Sequence, residues 1–372
     1  MATPTIAMIP SGYKAGTVYS VLPVDGTGDF DFTRASSATR VNESGLIETV
    51  ATGVPRLDYT GGGCPSLLLE PQSTNLIPYS EAFDNAAWSK TRCTIDSGGH
   101  TSPSGESDAF KMTATDDDAR LQDGSEAAGV VYTQSIYVKS ATGSNVSGQV
   151  DFTGVDIQTF TATNEWQRVD SILSDMSKDG VVRVRITNNG DELYIYGAQL
   201  EQQSYATSYI PTSGSTVTRI ADAASKTGLS SYINSSEGVL YAEISALAND
   251  GTNRRLSINK DQSNRIAIEF KTDNTLQFSV RETNVFRFFE IVALDITVMN
   301  KFALQYKSGD STLWVNGSKI ATKTEVFDFT GNELINLAFN DGGGAEMFSN
   351  CKDLRVYNAI LTDPELTTLT TL

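Results

Sequence analysis

Helical periodicity is nearly absent from this chain, and that restricts its fold more than any single motif does. Apolar residues recur instead at alternate positions, in short runs closed by Gly, Pro, Asn or Asp. That is how half-buried strands read when turns join them into sandwiches or barrels. "GVVYTQSIYVKS" sets Val131, Thr133 and Ser135 against Tyr132, Gln134 and Ile136. In "VVRVRITNNGDELYIYGAQLE", Val182, Val184 and Ile186 share one face. An Asn-Asn-Gly-Asp turn and then Leu193 and Ile195 follow, so this stretch is expected to be a hairpin. "STLWVNGSKIA" is expected to be another, with Asn316-Gly317 suited to a type I′ turn. One helix signal stands out, "LTDPELTTL", where Thr362 caps, Pro364 sits in the first turn and Glu365 completes a capping box.

At 372 residues the chain exceeds one ordinary core and suits two or three domains. The expectation is an all-β protein with two antiparallel β-sandwich (jelly-roll) domains preceded by an irregular N-terminal segment. Residues 1–65, rich in Gly, Ser and Thr, hold too few apolar residues for a core of their own. Residues 66–210 carry the strands of the first sandwich. Residues 211–219 ("PTSGSTVTR") read as a linker opened by Pro211, and 220–372 carry the second sandwich. Phe30, Phe32, Arg34 and Arg40 in the first segment are expected to order on a neighbouring chain. Residues 1–65 are therefore read as an attachment and assembly segment of a homo-oligomer, with 66–372 folding without them.

The net charge is −17, from 45 acidic and 28 basic residues, which argues against nucleic acid and anionic membrane surfaces as partners. No stretch is long and apolar enough to suggest membrane insertion, and the start "MATPTIAMIPSGYKAG" lacks a secretion-signal pattern. Cys64, Cys93 and Cys351 are widely spaced, and with a single histidine, His100, they suggest neither a disulfide framework nor zinc.

Three groups of residues resemble known families. "FTRASSATRVNESGLIE", "PRLDY", "LLLEPQSTNLIPYSEAFDNAAW" and "YGAQLEQQSYATSYIPT" are similar, in that order, to runs in bacteriophage tail and other virion proteins. "TNLIPYSEAFDNAAWSK" through "YIYGAQLE" resembles carbohydrate-binding jelly rolls. "GVLYAEISAL", "FALQYKSGDSTLWVNGSKIAT" and "FSNCKDLRVYNAILTDPEL" resemble laminin-G-like or concanavalin-A-like sandwiches. The resemblance implies a phage virion structural protein, a tail or fibre component acting as an adhesin on host-surface glycans. Its expected partners are other virion proteins and those glycans, and its location is the virion, assembled in the host cytoplasm. The alternatives are a structural or decoration protein without glycan binding and, further off, a glycan-depolymerising enzyme.

No Glu-x-Asp-x-Glu strand of the kind that places paired carboxylates on one face occurs, and His100 lies in a Gly/Ser/Pro-rich loop without an evident orienting partner. No catalytic residues are therefore nominated, and the chain is not expected to be an enzyme. For a sugar, Trp314 and Asn316 are candidates as platform and hydrogen-bonding partner, with Asn340 and Asp341 in "FNDGGGAEMF". Trp88 and Trp166 are expected at a core edge, and Phe286, Phe288 and Phe289 as strand core or subunit contact. No cofactor is required. Calcium is a candidate ion, with Asp116, Asp118 and Asp341 as candidate oxygen ligands. In the jelly-roll resemblance, acidic ligands fall in the closing strand, which here reads Tyr196-Gly197-Ala198.

Overall fold

Alternation with frequent turns produces strands almost throughout. A computed structural model describes residues 2–10, 14, 16–127, 129–175 and 180–372, without the side chains of 125–127. The protein is all-β, 48% strand and 2% helix, and its sheets are antiparallel. Two compact units share the chain discontinuously. The first comprises Met1–Ala35, Ala51–Pro71 and Ala221–Leu372, and the second Ser36–Val50 and Gln72–Ile220.

The first unit is a sandwich of two sheets. Its eight-stranded sheet runs Ser318–Lys323, Ser311–Val315, Asn300–Lys307, Glu237–Ala246, Ser349–Tyr357, Ser66–Leu69 and Arg56–Asp58, with Ile6–Met8 also on Ser349–Tyr357. Its seven-stranded sheet runs Asp31–Thr33, Ala223–Lys226, Asn336–Ala338, Arg254–Asp261, Asn264–Phe270, Leu276–Glu282 and Val285–Val292, the last at the sheet edge. Alternate residues of both sheets meet in one apolar core. Leu240, Ile244, Leu304 and Leu313 come from the first, and Leu256, Ile258, Ile268 and Phe278 from the second. Asn316 and Gly317 both take positive φ, 48° and 83°, as a type I′ turn needs. The helix forms over Asp363–Thr370, and the Glu365 carboxylate accepts the Thr362 N–H at 3.0 Å.

The second unit is also a sandwich. One five-stranded sheet runs Gln167–Leu173, Tyr132–Ser140, Glu192–Glu201, Phe110–Ala114 and Cys93–Ile95. The other runs Val155–Ala162, Val146–Phe152, Gly180–Ile186, Ala119–Ala127 and Trp88–Thr91. Ile136, Val138, Leu193 and Ile195 face Val150, Phe152, Val184 and Leu121 across the core. Here one expectation changes. Gly180–Ile186 and Glu192–Glu201 belong to different sheets, so the Asn-Asn-Gly-Asp turn is a crossover between layers, not a hairpin. Both strands present apolar faces to the same core, and each already has a neighbour on both sides.

Residues 1–65 differ most from expectation. They form no separate segment. Ile6, Met8, Val18 and Phe30 are buried in the first unit's core, and Phe30 lies 5.7 Å from Phe339 ring to ring. Ala38–Val41 and Ile47–Val50 form a hairpin of the second unit, covering Tyr196 and Tyr209. Each arginine finds a carboxylate in its own chain: Arg40 pairs with Glu48, and Arg34 with Asp222 at 3.1 Å. The linker expected at 211–219 is likewise built in. Val217–Arg219 pairs with Ser73–Asn75, and the buried Thr212 hydroxyl donates to the Ile77 carbonyl at 2.6 Å. Its Ser/Thr residues supply hydrogen bonds where an apolar face was missing.

A four-charge cluster lies inside the first unit. Arg56 donates to Glu70 at 2.5 Å and to Asp222, Arg34 pairs with Asp222, and the Glu70 N–H donates to Asp222 at 2.9 Å. All four side chains are at most 5% exposed. Burial alone would lower the Arg56 pKa, and the two carboxylates more than reverse that, so it is raised. Asp222→Asn removes the charge that two buried arginines share, and should cost about 3–5 kcal/mol, read as a lower urea midpoint. A polypeptide of residues 66–372 should lack the cooperative transition of the full chain, because it loses three first-unit strands together with Arg34 and Arg56. Native-like circular dichroism and an unchanged melting transition would contradict this.

Candidate functional site

Strand pairing decides which nominated side chains reach solvent. Trp314 does not. Its ring is 5% exposed, packed with Tyr241, Tyr357, Leu361, Leu366 and Leu369, because the C-terminal helix covers this outer face. Lys319 Nζ sits 5.3 Å from the ring centroid, where a sugar would have to stack. Asn316 is a turn residue whose Oδ1 accepts the Lys301 N–H at 2.9 Å, while its Nδ2 donates to Asn300 at 2.8 Å. Neither is a free sugar contact. Asn340 accepts from Gly342 N–H at 2.8 Å, and Asp341 is 2% exposed, accepting from Gln262 at 3.3 Å and pairing with Arg255. Those bonds shape the glycine loop, which presses on the end of strand Arg254–Asp261 and on Gln262 so closely that a Cβ at Gly343 would meet Gln262 Nε2 at 2.5 Å.

The calcium candidates do not converge. Asp118 and Asp341 belong to different units, and arginines hold both. Arg120 and Arg185 pull the Asp118 pKa down against a burial effect that raises it. Asp116 is exposed, and among the described residues no three His, Cys, Asp or Glu group as a metal site. His100 is better anchored than its loop suggested. Its Nε2 lies 2.5 Å from Asp96, and its ring packs against Tyr194 with centroids 4.6 Å apart and planes tilted by 41°. Trp88 is buried against Phe83, with Nε1 donating to the Tyr79 carbonyl at 2.9 Å, and Trp166 is partly buried beside Tyr196 and Tyr209.

A different face brings binding chemistry together. In the seven-stranded sheet Leu256, Ile266, Ile268, Phe278, Val280 and Phe288 point into the core, so Arg255, Arg265, Glu269, Gln277, Ser279 and Arg281 point outward. The edge strand carries a bulge at Arg287, because Phe288 pairs with Val280 while Phe286 pairs with Arg281. The bulge puts Phe286 and Phe289 on the same outer face, 44% and 41% exposed, with ring centroids 5.1 Å apart at 64°. The Arg281 guanidinium lies 5.3 Å from the Phe286 centroid.

Charge on this face is unevenly paired. Arg255 forms an ion pair with Glu269, its closest approach 2.7 Å, with Nη2 donating to the carboxylate at 2.9 Å, and Lys271 reaches the same carboxylate at 2.9 Å. Arg255 also holds Asp341. Arg265 and Arg281 stand directly opposite each other across two strands, and among the described residues neither has a carboxylate within ion-pair distance. Arg265 is 2% exposed, and Nη1 donates to the Gln262 carbonyl. Burial first, then Arg255 and Arg281, lower its pKa. The Nε atoms of both arginines and the Ser279 hydroxyl are buried without a hydrogen-bond partner.

Sequence alone offered part of this. The run "NVFRFFEIV" flagged three phenylalanines, but only the bulge tells which two face outward. The arginine pair depends on cross-strand register, which spacing does not encode.

No family model matches the chain, and no curated protein matches it. Among solved structures it is similar to the binding domain of botulinum neurotoxin DC in complex with rat synaptotagmin II, at 14% identity over 40% of this chain and 39% of that one, TM-score 0.33. It is also similar to a mutant of Trypanosoma rangeli sialidase displaying trans-sialidase activity, at 11% identity over 39% and 25%, TM-score 0.32. A third is the CBM22-1 xylan-binding domain of Paenibacillus barcinonensis Xyn10C, at 13% identity over 36% and 94%, TM-score 0.26. The chain spans well under half the length of the first two. Similarity this low carries no functional argument, so function rests on the chemistry of the face.

Glu269 links that face to pH. Burial would raise its pKa, but Arg255 and Lys271 lower it below the ordinary 4.5. The unfolded chain then takes up this proton first. The stabilisation is full above the ordinary glutamate range and is lost as pH falls through the lower folded value. Between about pH 5 and about pH 3, the melting temperature of Glu269→Gln should fall less steeply than that of the wild type. Parallel curves would show that Glu269 contributes nothing to the acid limb.

Proposed function

We propose that this chain is a structural protein of a bacteriophage particle, a tail or fibre component that acts as an adhesin by binding host-surface glycans. The virion part rests on the quoted sequence runs, from "FTRASSATRVNESGLIE" to "YGAQLEQQSYATSYIPT". The glycan part rests on one observation, the exposed Phe286–Phe289 pair beside Arg281. An aromatic pair held on a rigid sheet offers an apolar surface to the C–H face of a pyranose at little entropic cost. Arg281 stands within reach to donate to its hydroxyls.

A second reading has its own support. Val285 and Ile291 on the same edge strand are exposed too, and an edge strand with outward apolar residues can pair with another copy. This makes the chain a particle component without glycan binding. A glycan array probed with the full chain, together with its sedimentation behaviour, separates the two. Phe289→Ala should weaken glycan binding roughly tenfold, worth about 1.4 kcal/mol, with no change in oligomeric state. If wild type binds no glycan and Phe289→Ala breaks up an oligomer, the second reading holds.

A further inference from the structure

Two arginines paired across neighbouring strands with no carboxylate within ion-pair distance are costly in any folded protein, and more so when one is buried. The chain carries a net charge of −17, yet among the described residues no carboxylate comes within ion-pair distance of either arginine, and Glu269 and Asp341 act on Arg265 only from farther off. The outward residues of this face make the imbalance plain. Arg255, Arg265, Lys271 and Arg281 are positive, whereas Glu269 and Asp341 are both engaged by Arg255. Elsewhere in the same unit arginines bury with carboxylates at hand, as Arg34 and Arg56 do with Asp222. Arg265 has a backbone carbonyl instead, and the Ser279 hydroxyl, between the outward Gln277 and Arg281 of its strand, is buried without a partner.

We propose that the face is an acidic-sugar site, in which an anionic substituent of the glycan, a carboxylate or a sulfate ester, binds Arg281 with Arg265 behind it, while the sugar ring packs on Phe286 and Phe289. The proposal rests on the glycan-binding reading and deepens it by naming the class of sugar. Arg281 is the contact residue, since it is partly exposed and adjoins the aromatic pair. A planar guanidinium suits both oxyanions, donating two parallel N–H bonds to their oxygens where geometry allows. Arg265 is nearly out of solvent and acts as a positioning residue, supplying positive potential from beneath. A neutral sugar would meet the same aromatic surface but leave that potential unanswered, so the site discriminates by charge.

The test uses the full-length chain on one glycan array printed in two forms, native and with carboxyl groups methyl-esterified. Wild type should bind acidic glycans at least tenfold more tightly than their neutral counterparts. Esterification should abolish binding if carboxylates are the ligand and spare it if sulfate esters are. Arg281→Gln should remove the preference for acidic over neutral sugars, and Arg281→Lys should restore part of it, with both variants melting as the wild type does. Sodium sulfate should raise the wild-type melting temperature more than sodium chloride at equal ionic strength, and should do so less for Arg281→Gln. Equal binding of acidic and neutral glycans, lost in Phe289→Ala, would overturn the acidic-sugar inference while leaving glycan binding intact. Absence of any glycan signal from wild type would overturn both. Acid-selective binding that persists in Arg281→Gln would place the anion elsewhere and overturn this assignment.

Discussion

Asp222 accepts from two buried arginines, and the first unit is organised around that sharing. The chain passes between units after Ala35, Val50, Pro71 and Ile220, and on the first-unit side each passage adjoins the same cluster. Arg34 precedes the first, the Ala51 carbonyl accepts from Arg34 after the second, Glu70 precedes the third, and Asp222 follows the fourth. All three chain segments of the first unit are thus pinned by one set of charges. Apolar packing could hold them equally tightly, but it would discriminate less between one register and the next. The cost of withdrawing four charges from water is offset only while every partner is present.

The remaining architecture follows from period-two alternation laid over that pinning. Where a sequence signal was local, it could be read directly. Asn316-Gly317 predicts its turn, Thr362 with Glu365 predicts its cap, and Val182, Val184 and Ile186 predict a core face. Where the outcome depended on what lies on the far side of a residue, it could not be read. Trp314 alternates as an outward residue should, yet the helix at Asp363–Thr370 lies over it. The Asn-Asn-Gly-Asp stretch reads as a hairpin turn, yet it bridges two layers. Residues 1–65 look too apolar-poor for a core of their own, and the structure gives them none. Their Ile6, Met8 and Phe30 join a core most of whose other members lie at Ala224 and beyond.

The candidate face shows the same division. The phenylalanines were visible in the sequence, but their exposure depends on one extra residue, Arg287, in an edge strand. A strictly regular strand would have turned Phe286 and Phe288 the same way, leaving Phe289 opposite them. The bulge separates the three, sending one inward to the core and two outward beside the unbalanced arginines. Chemistry on this surface therefore arises from an irregularity, in keeping with the way bulges re-aim side chains.

The late strand Ser349–Tyr357 sits between Glu237–Ala246 on one side and both Ile6–Met8 and Ser66–Leu69 on the other. During synthesis the early strands must wait for it. Every residue of the second unit has been made by Ile220, so that sandwich can close while its companion is still missing its central strand. At typical elongation rates the interval is on the order of ten seconds. Throughout it, Ile6, Met8, Leu67 and Leu69 lack their permanent neighbour, so nascent chains crowded on one message would be exposed to wrong pairings that the finished protein excludes.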